Sequence, residues 1–238
     1  MTAEKLIQIA ENEPKVYEAG KAEGIEQGMA DVAHLNDELE QILYGTDTGG
    51  KSFYDEFWDI LQENGERRRY FYAFSNIGLN WTDEIYNPKY PIICNKTDVY
   101  DTYRMFGGNK AITDTKVPII VNGADLVETF QNAENIVTIP LLTLNGVSTI
   151  TRAFMGMFRL VNLTINGAIE ANGFDFKDCT KLSKASITSI INALSTTTSG
   201  LSVTLSKNAV DTAFEGGSGG GEFHYLIDSK QNWTISLA

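Results

Sequence analysis

The side chains that could do chemistry are few and scattered. The chain has two histidines, His34 and His224, and they are not spaced as a metal pair. A Ser/His/Asp triad would have to recruit one of them, because imidazole carries the proton in such a triad. A glycosidase needs only two acids flanking a sugar, and Asp83 with Glu84 beside an aromatic-rich stretch offers such a pair. The separation that would make them catalytic depends on the fold, so a glycan-active enzyme is kept only as the third reading, behind two non-enzymatic ones. The run Gly216-Gly-Ser-Gly-Gly-Gly221 is not followed by Lys-Ser or Lys-Thr, and Glu222 would repel a phosphate, so it reads as a flexible, linker-like loop. No catalytic residue, metal or cofactor is expected.

Cys94 and Cys179 are too few for a disulfide framework or a cysteine-based zinc site. Binding is the chemistry that remains. Its candidates are Trp81, Tyr86, Tyr90, Tyr100 and Tyr103, in an irregular stretch held extended or turned by Pro88 and Pro91. Aromatic faces stack on sugars or fill protein pockets at low entropic cost, although the same rings would also pack a junction between elements. The run Arg67-Arg68-Arg69 reads as a set of salt-bridge partners for acidic helices.

The elements that would carry these groups divide by charge. Residues 1–63 hold 15 acidic and 4 basic side chains, so of the net −12 only −1 is left for the other 175 residues. An acidic chain repels phosphate backbones and anionic lipid, so neither nucleic-acid binding nor membrane insertion is expected. No apolar run reaches the ~18 residues of a membrane span. The first residues also lack a signal-peptide core, so export is not expected. From Thr2 to about Tyr44 the composition is helical, interrupted by Pro14. Ile25, Gly28, Val32, Leu35, Leu39 and Ile42 follow heptad spacing, which predicts an oligomerisation seam through Ile25, Val32, Leu35, Leu39 and Ile42. A seam this short needs partners to persist. Tyr70 to Phe74 has the β-propensity of a strand.

Beyond residue 105 the chain repeats itself. Phe106-Gly-Gly-Asn-Lys-Ala-Ile112, Phe130-Gln-Asn-Ala-Glu-Asn-Ile136, Phe154-Met-Gly-Met-Phe-Arg-Leu160 and Phe176-Lys-Asp-Cys-Thr-Lys-Leu182 align, with phenylalanines 24, 24 and 22 residues apart. Nine residues after each Phe stand Thr115, Ile139, Leu163 and Ala185, and eleven after stand Val117, Leu141, Ile165 and Ile187. That alternation predicts a short strand with one buried face in each unit. No single unit can bury its apolar side, but a stack of them makes a continuous core. Phe106 to Ile112 departs furthest from the pattern, with Asn109 at the small position, and reads as a cap or partial turn. Cys179 takes the small buried position of its unit, so packing is its expected role.

The pattern Phe-x-x-[Cys/Ala]-x-x-Leu followed by a short aliphatic strand resembles the BspA-type leucine-rich repeat of bacterial surface proteins and of phage and prophage proteins. Phe176 to Leu182 is the closest copy. Downstream, Ser186–Leu194 reads as a helix, Leu201–Leu205 as a strand, Ser206–Glu215 as a helix capped by Ser206, and Trp233–Leu237 as a final strand. This series is similar to the ends of phage-encoded repeat proteins of gut Firmicutes. The expected fold is α+β: an acidic helical, coiled-coil segment over 1–63, an aromatic-rich junction over 64–104, leucine-rich-type repeats over 105–187 and an α/β cap over 188–238. The resemblance implies a non-enzymatic virion protein of a phage, in a tail fibre, baseplate or head decoration. Such a protein would be assembled in the host cytoplasm as a homo-oligomer, with a trimer favoured. Its partners would be other virion proteins and a host-surface glycan or protein. The alternative it implies is an adhesin at the bacterial cell surface.

Overall fold

A computed structural model describes Phe74, Ser75, Asp83, residues 86–88, residues 91–95 and residues 102–238. All of them belong to the second of the two units into which the chain divides, Asn64–Ala238. The heptad seam Ile25, Val32, Leu35, Leu39 and Ile42, and the arginines 67–69, lie outside the described residues.

The repeats fold as a parallel β-solenoid of about four turns. Strands β1 (Ile92–Asn95), β2 (Ile119–Asn122), β3 (Thr138–Asn145) and β4 (Asn162–Gly167) form one sheet in chain order, every neighbour parallel. Parallel neighbours require a long crossover, and those from β2 to β3 and from β3 to β4 are each one irregular turn carrying a phenylalanine motif. The rings stack along the solenoid axis. Phe106 and Phe130 lie 5.3 Å apart, Phe130 and Phe154 5.6 Å, and Phe154 and Phe176 4.6 Å, all fully buried. Ile112, Ile136, Leu160 and Leu182, six positions after each Phe, are buried beside them.

The Phe106 unit is not a cap. Phe74 stacks beneath it at 5.0 Å, and its N–H donates to Met105 O just as those of Phe106 and Phe130 donate to Thr129 O and Ala153 O. Phe74 therefore stands in a turn, where β-propensity predicts a strand end, and adds one more ring to the stack. Asn109 fills the small position by bonding: its amide donates to Phe74 O, and its oxygen accepts from the N–H groups of Ala111 and Ile112.

The strand register also differs from the simple alternation. Thr115, Ile139 and Leu163 are buried as expected, and so is Ile165, but in the first two units the next buried side chains are Ile119 and Leu142, while Val117 and Leu141 are only half-buried. A bulge between Ile139 and Leu142 absorbs the extra residue of β3, and Pro140, which has no N–H to place in a ladder, sits in it. At the fourth unit the strand gives way to helix α1 (Lys184–Ala193), so Ala185 is exposed and Ile187 packs from a helix.

A second parallel sheet follows: β5 (Phe174–Phe176), β6 (Leu201–Leu205) and β7 (Trp233–Leu237). Helix α2 (Lys207–Ala213) starts at Ser206, whose hydroxyl accepts from Ala209 N–H. The glycine run is folded, not a linker. Gly217–Gly219 forms a 3-10 turn, and Gly221–Asp228 forms helix α3, absent from the sequence-based expectation. Asp211 holds the turn by accepting from Ser218 N–H at 2.8 Å, and its bonds to Lys207 and Ser218 hold its pKa down at about 2. No helix of the described residues is long and apolar enough to cross a membrane.

Candidate functional site

With most apolar side chains inside, the polar groups gather on the outer face of the first sheet and its rim, where Ile93 is also exposed. Strand pairing aligns Ile93, Ile120, Thr143 and Asn166 in one outward row. A second row is an amide ladder: Asn122 donates to Asn95, and Asn145 donates to Asn122, each at 2.8 Å. After the ladder positions Gly123 and Gly146 turn the chain with positive φ, and Gly167 does so after Asn166. At Gly167 a Cβ would lie 2.1 Å from Leu144 O, so only glycine fits.

The last strand, β4, would present a bare edge of N–H and C=O groups if nothing replaced a fifth strand. Helix α1 supplies that cover with serines three residues apart. Ser186 Oγ accepts from Leu163 N–H and donates to Val161 O, both at 2.8 Å. Ser189 Oγ accepts from Ile165 N–H at 2.8 Å. The cover stops there. Asn192, the next residue in the series, makes no side-chain bond to β4, and strand and helix part into an open groove of about 840 Å3. Its polar lining is Asn166, Lys184, Thr188, Ser189 and Asn192, over a floor that includes Ile165. Lys184 is paired with Glu222 and lies over the Phe214 ring. Lys230 fixes the far end of α1 by donating to Asn192 O at 3.1 Å and Leu194 O at 2.5 Å, and burial lowers its pKa. A cation there is where the carbonyl end of a helix favours one.

A charged row runs along the turns. Glu128, 2% exposed, accepts from Arg104 Nε at 2.6 Å and is paired with Arg152. All three residues have positive φ and stand two positions before their phenylalanines.

The aromatic residues read as binding candidates do not form one site among the described residues. Tyr86 is fully buried, its ring set edge-on to Phe74 and Phe106 and its hydroxyl donating to Thr115 O, so it presents no face to a ligand. Tyr103 is half-buried, with the Arg104 guanidinium 5.6 Å from its ring centre. Trp81, Tyr90 and Tyr100 lie outside the described residues. Asp83, one of the paired acids, accepts from Thr113 N–H at 2.8 Å and from its hydroxyl at 2.5 Å, while Glu84 lies outside the described residues. Gly216-Gly-Ser218-Gly-Gly220 matches the letters of a nucleophile elbow, but Ser218 sits between two helices rather than between strand and helix. Among the described residues no group of three His, Cys, Asp or Glu side chains could hold a metal, and His224 stands exposed on α3. Cys94 and Cys179 are both buried.

The groove was not visible in the sequence. Its signals were Ser183, Ser186 and Ser189 at intervals of three, and the recurring Asn-Gly at the strand ends. No family model, no curated protein and no solved structure matches the chain.

Proposed function

We propose that this chain is a non-enzymatic virion protein of a phage, a tail-fibre, baseplate or head-decoration component, whose solenoid binds a host-surface glycan or protein. In this reading the solenoid is of the BspA-like leucine-rich type, and residues 1–63 form the helical segment that trimerises or docks it to the particle. The observation that supports it best is the in-register stack from Phe74 to Phe176. A stack of that kind is a rigid scaffold whose repeated outer rows and rim are its means of recognition. The heptad seam adds valency, which raises the avidity of weak contacts without new ones.

The test has two parts. Immunogold labelling of phage particles from a host carrying this gene should decorate one structure of the virion, and unlabelled particles would sink the proposal. Light scattering of the full chain should give a trimer, and Leu35→Asp with Leu39→Asp should give monomer; a monomeric native chain would remove the oligomerisation role.

A further inference from the structure

The groove between β4 and α1 is the place where the solenoid's own hydrogen-bonding scheme is left unfinished. Leu163 and Ile165 turn their N–H groups toward α1, and Gly167 is the next residue of that alternating edge. On the helix side, Ser186 and Ser189 are followed by Asn192 one turn later. Thr188 and Asn192 lie on the face of α1 that lines the groove, and Asn166 faces them from the end of β4. The side chains of Asn166, Thr188 and Asn192 make no hydrogen bond within the described residues.

We propose that this groove binds one neutral saccharide unit, with Asn166, Thr188 and Asn192 hydrogen-bonding its hydroxyl groups. Each carboxamide offers two donors and an acceptor, and the threonine hydroxyl offers both, which is the mixed pattern that sugar hydroxyls complement. Charge argues for a neutral ligand. The one cation of the lining, Lys184, is neutralised by Glu222, and no acid lines the groove. A purely apolar ligand would strand the amides without partners. A volume of about 840 Å3 accommodates a mono- or disaccharide within the ordinary range of ligand clefts. The groove has no aromatic platform, so a single site binds weakly, with a Kd on the order of 1 mM, and useful avidity needs several copies. The assignment rests on the host-surface reading above and names the ligand class that reading leaves open.

Saturation-transfer NMR on the full chain detects binding of this strength. Neutral trisaccharides of glucose, galactose and N-acetylglucosamine would be compared with a sulfated disaccharide. At least one neutral trisaccharide should show transfer. That signal should fall about tenfold in Asn192→Ala and Thr188→Val and persist in Thr164→Ala, which changes an exposed residue of β4 outside the groove. No transfer to any neutral sugar, transfer to the sulfated sugar alone, or equal transfer in the groove variants would each overturn the assignment. The virion reading is separable. Labelled particles with unaltered sugar binding in the groove variants remove only the groove, whereas groove-dependent sugar binding by a chain absent from particles removes only the virion role.

Discussion

Phe74 and Phe106 stand 32 residues apart in the chain, yet their rings lie 5.0 Å apart, within the 4.6–5.6 Å that separates the later phenylalanines spaced by 24, 24 and 22. Phe74 is thus a full rung of the core. Deleting its ring should leave a cavity against Phe106 and Tyr86 that the closed stack cannot collapse to fill. Phe74→Ala is expected to cost about 3–5 kcal/mol, as Phe130→Ala should. Urea denaturation of both variants checks this, and a loss below about 1 kcal/mol for Phe74→Ala would place that residue outside the cooperative core.

The repeat was legible because a solenoid imposes one environment at one spacing, and Phe106, Phe130, Phe154 and Phe176 record it directly. Phe74 escaped because it stands 32 residues before Phe106, off the spacing of the others. The strand register escaped for a related reason: Leu141 keeps the period in sequence, but the bulge at Pro140 moves the inward position to Leu142. Ser206 was legible as a cap because its signal is local. Ser186 and Ser189 were not, because a hydroxyl that completes a strand edge has meaning only once that strand lies beside it. Tyr86 shows the limit for the binding site, since an aromatic residue among prolines reads the same whether it faces solvent or core.

Glu128 resembles an ordinary loop acid in the sequence, but it is the buried link between two partly exposed arginines. Glu128→Gln keeps the shape and removes the charge that holds Arg104 and Arg152 together. The expected loss is about 2 kcal/mol, below that of a fully buried pair because water screens both guanidinium groups. Arg152→Ala leaves the Arg104 pairing in place and should cost about 0.5 kcal/mol. Thermal denaturation of both variants tests the asymmetry, and equal losses would mean that Glu128 is not the organising member.

The hydroxyl cover of β4 makes a prediction at the level of single amides. Ser186→Ala leaves Leu163 N–H without its partner at a protected edge, while Val161 C=O keeps the Ser183 N–H, and should cost about 1–3 kcal/mol. Ser189→Ala should expose Ile165 N–H at the start of the groove. In hydrogen-exchange measurements the Leu163 amide should lose protection in the first variant and the Ile165 amide in the second. Unchanged exchange at both would show that the serines are not what closes the edge.

Cys179 gives the chain a pH dependence whose sign is determined. Burial, with Asp178 and Asp175 nearby, pushes its thiol well above the usual 9.0, so it stays protonated in the folded chain. The unfolded chain releases that proton near pH 9, and from there it binds fewer protons than the folded chain. The contribution is therefore fully present below about pH 8.5 and declines above it, by up to about 1.4 kcal/mol per pH unit. Cys179→Ala, which installs the residue that Ala133 supplies one repeat unit away from Phe154, removes this term. Stability against urea should fall more steeply between pH 8.5 and 10 in the native chain than in the variant. Parallel curves, or rapid modification of Cys179 by a thiol reagent in the folded protein, would show that the thiol is not sealed in the core.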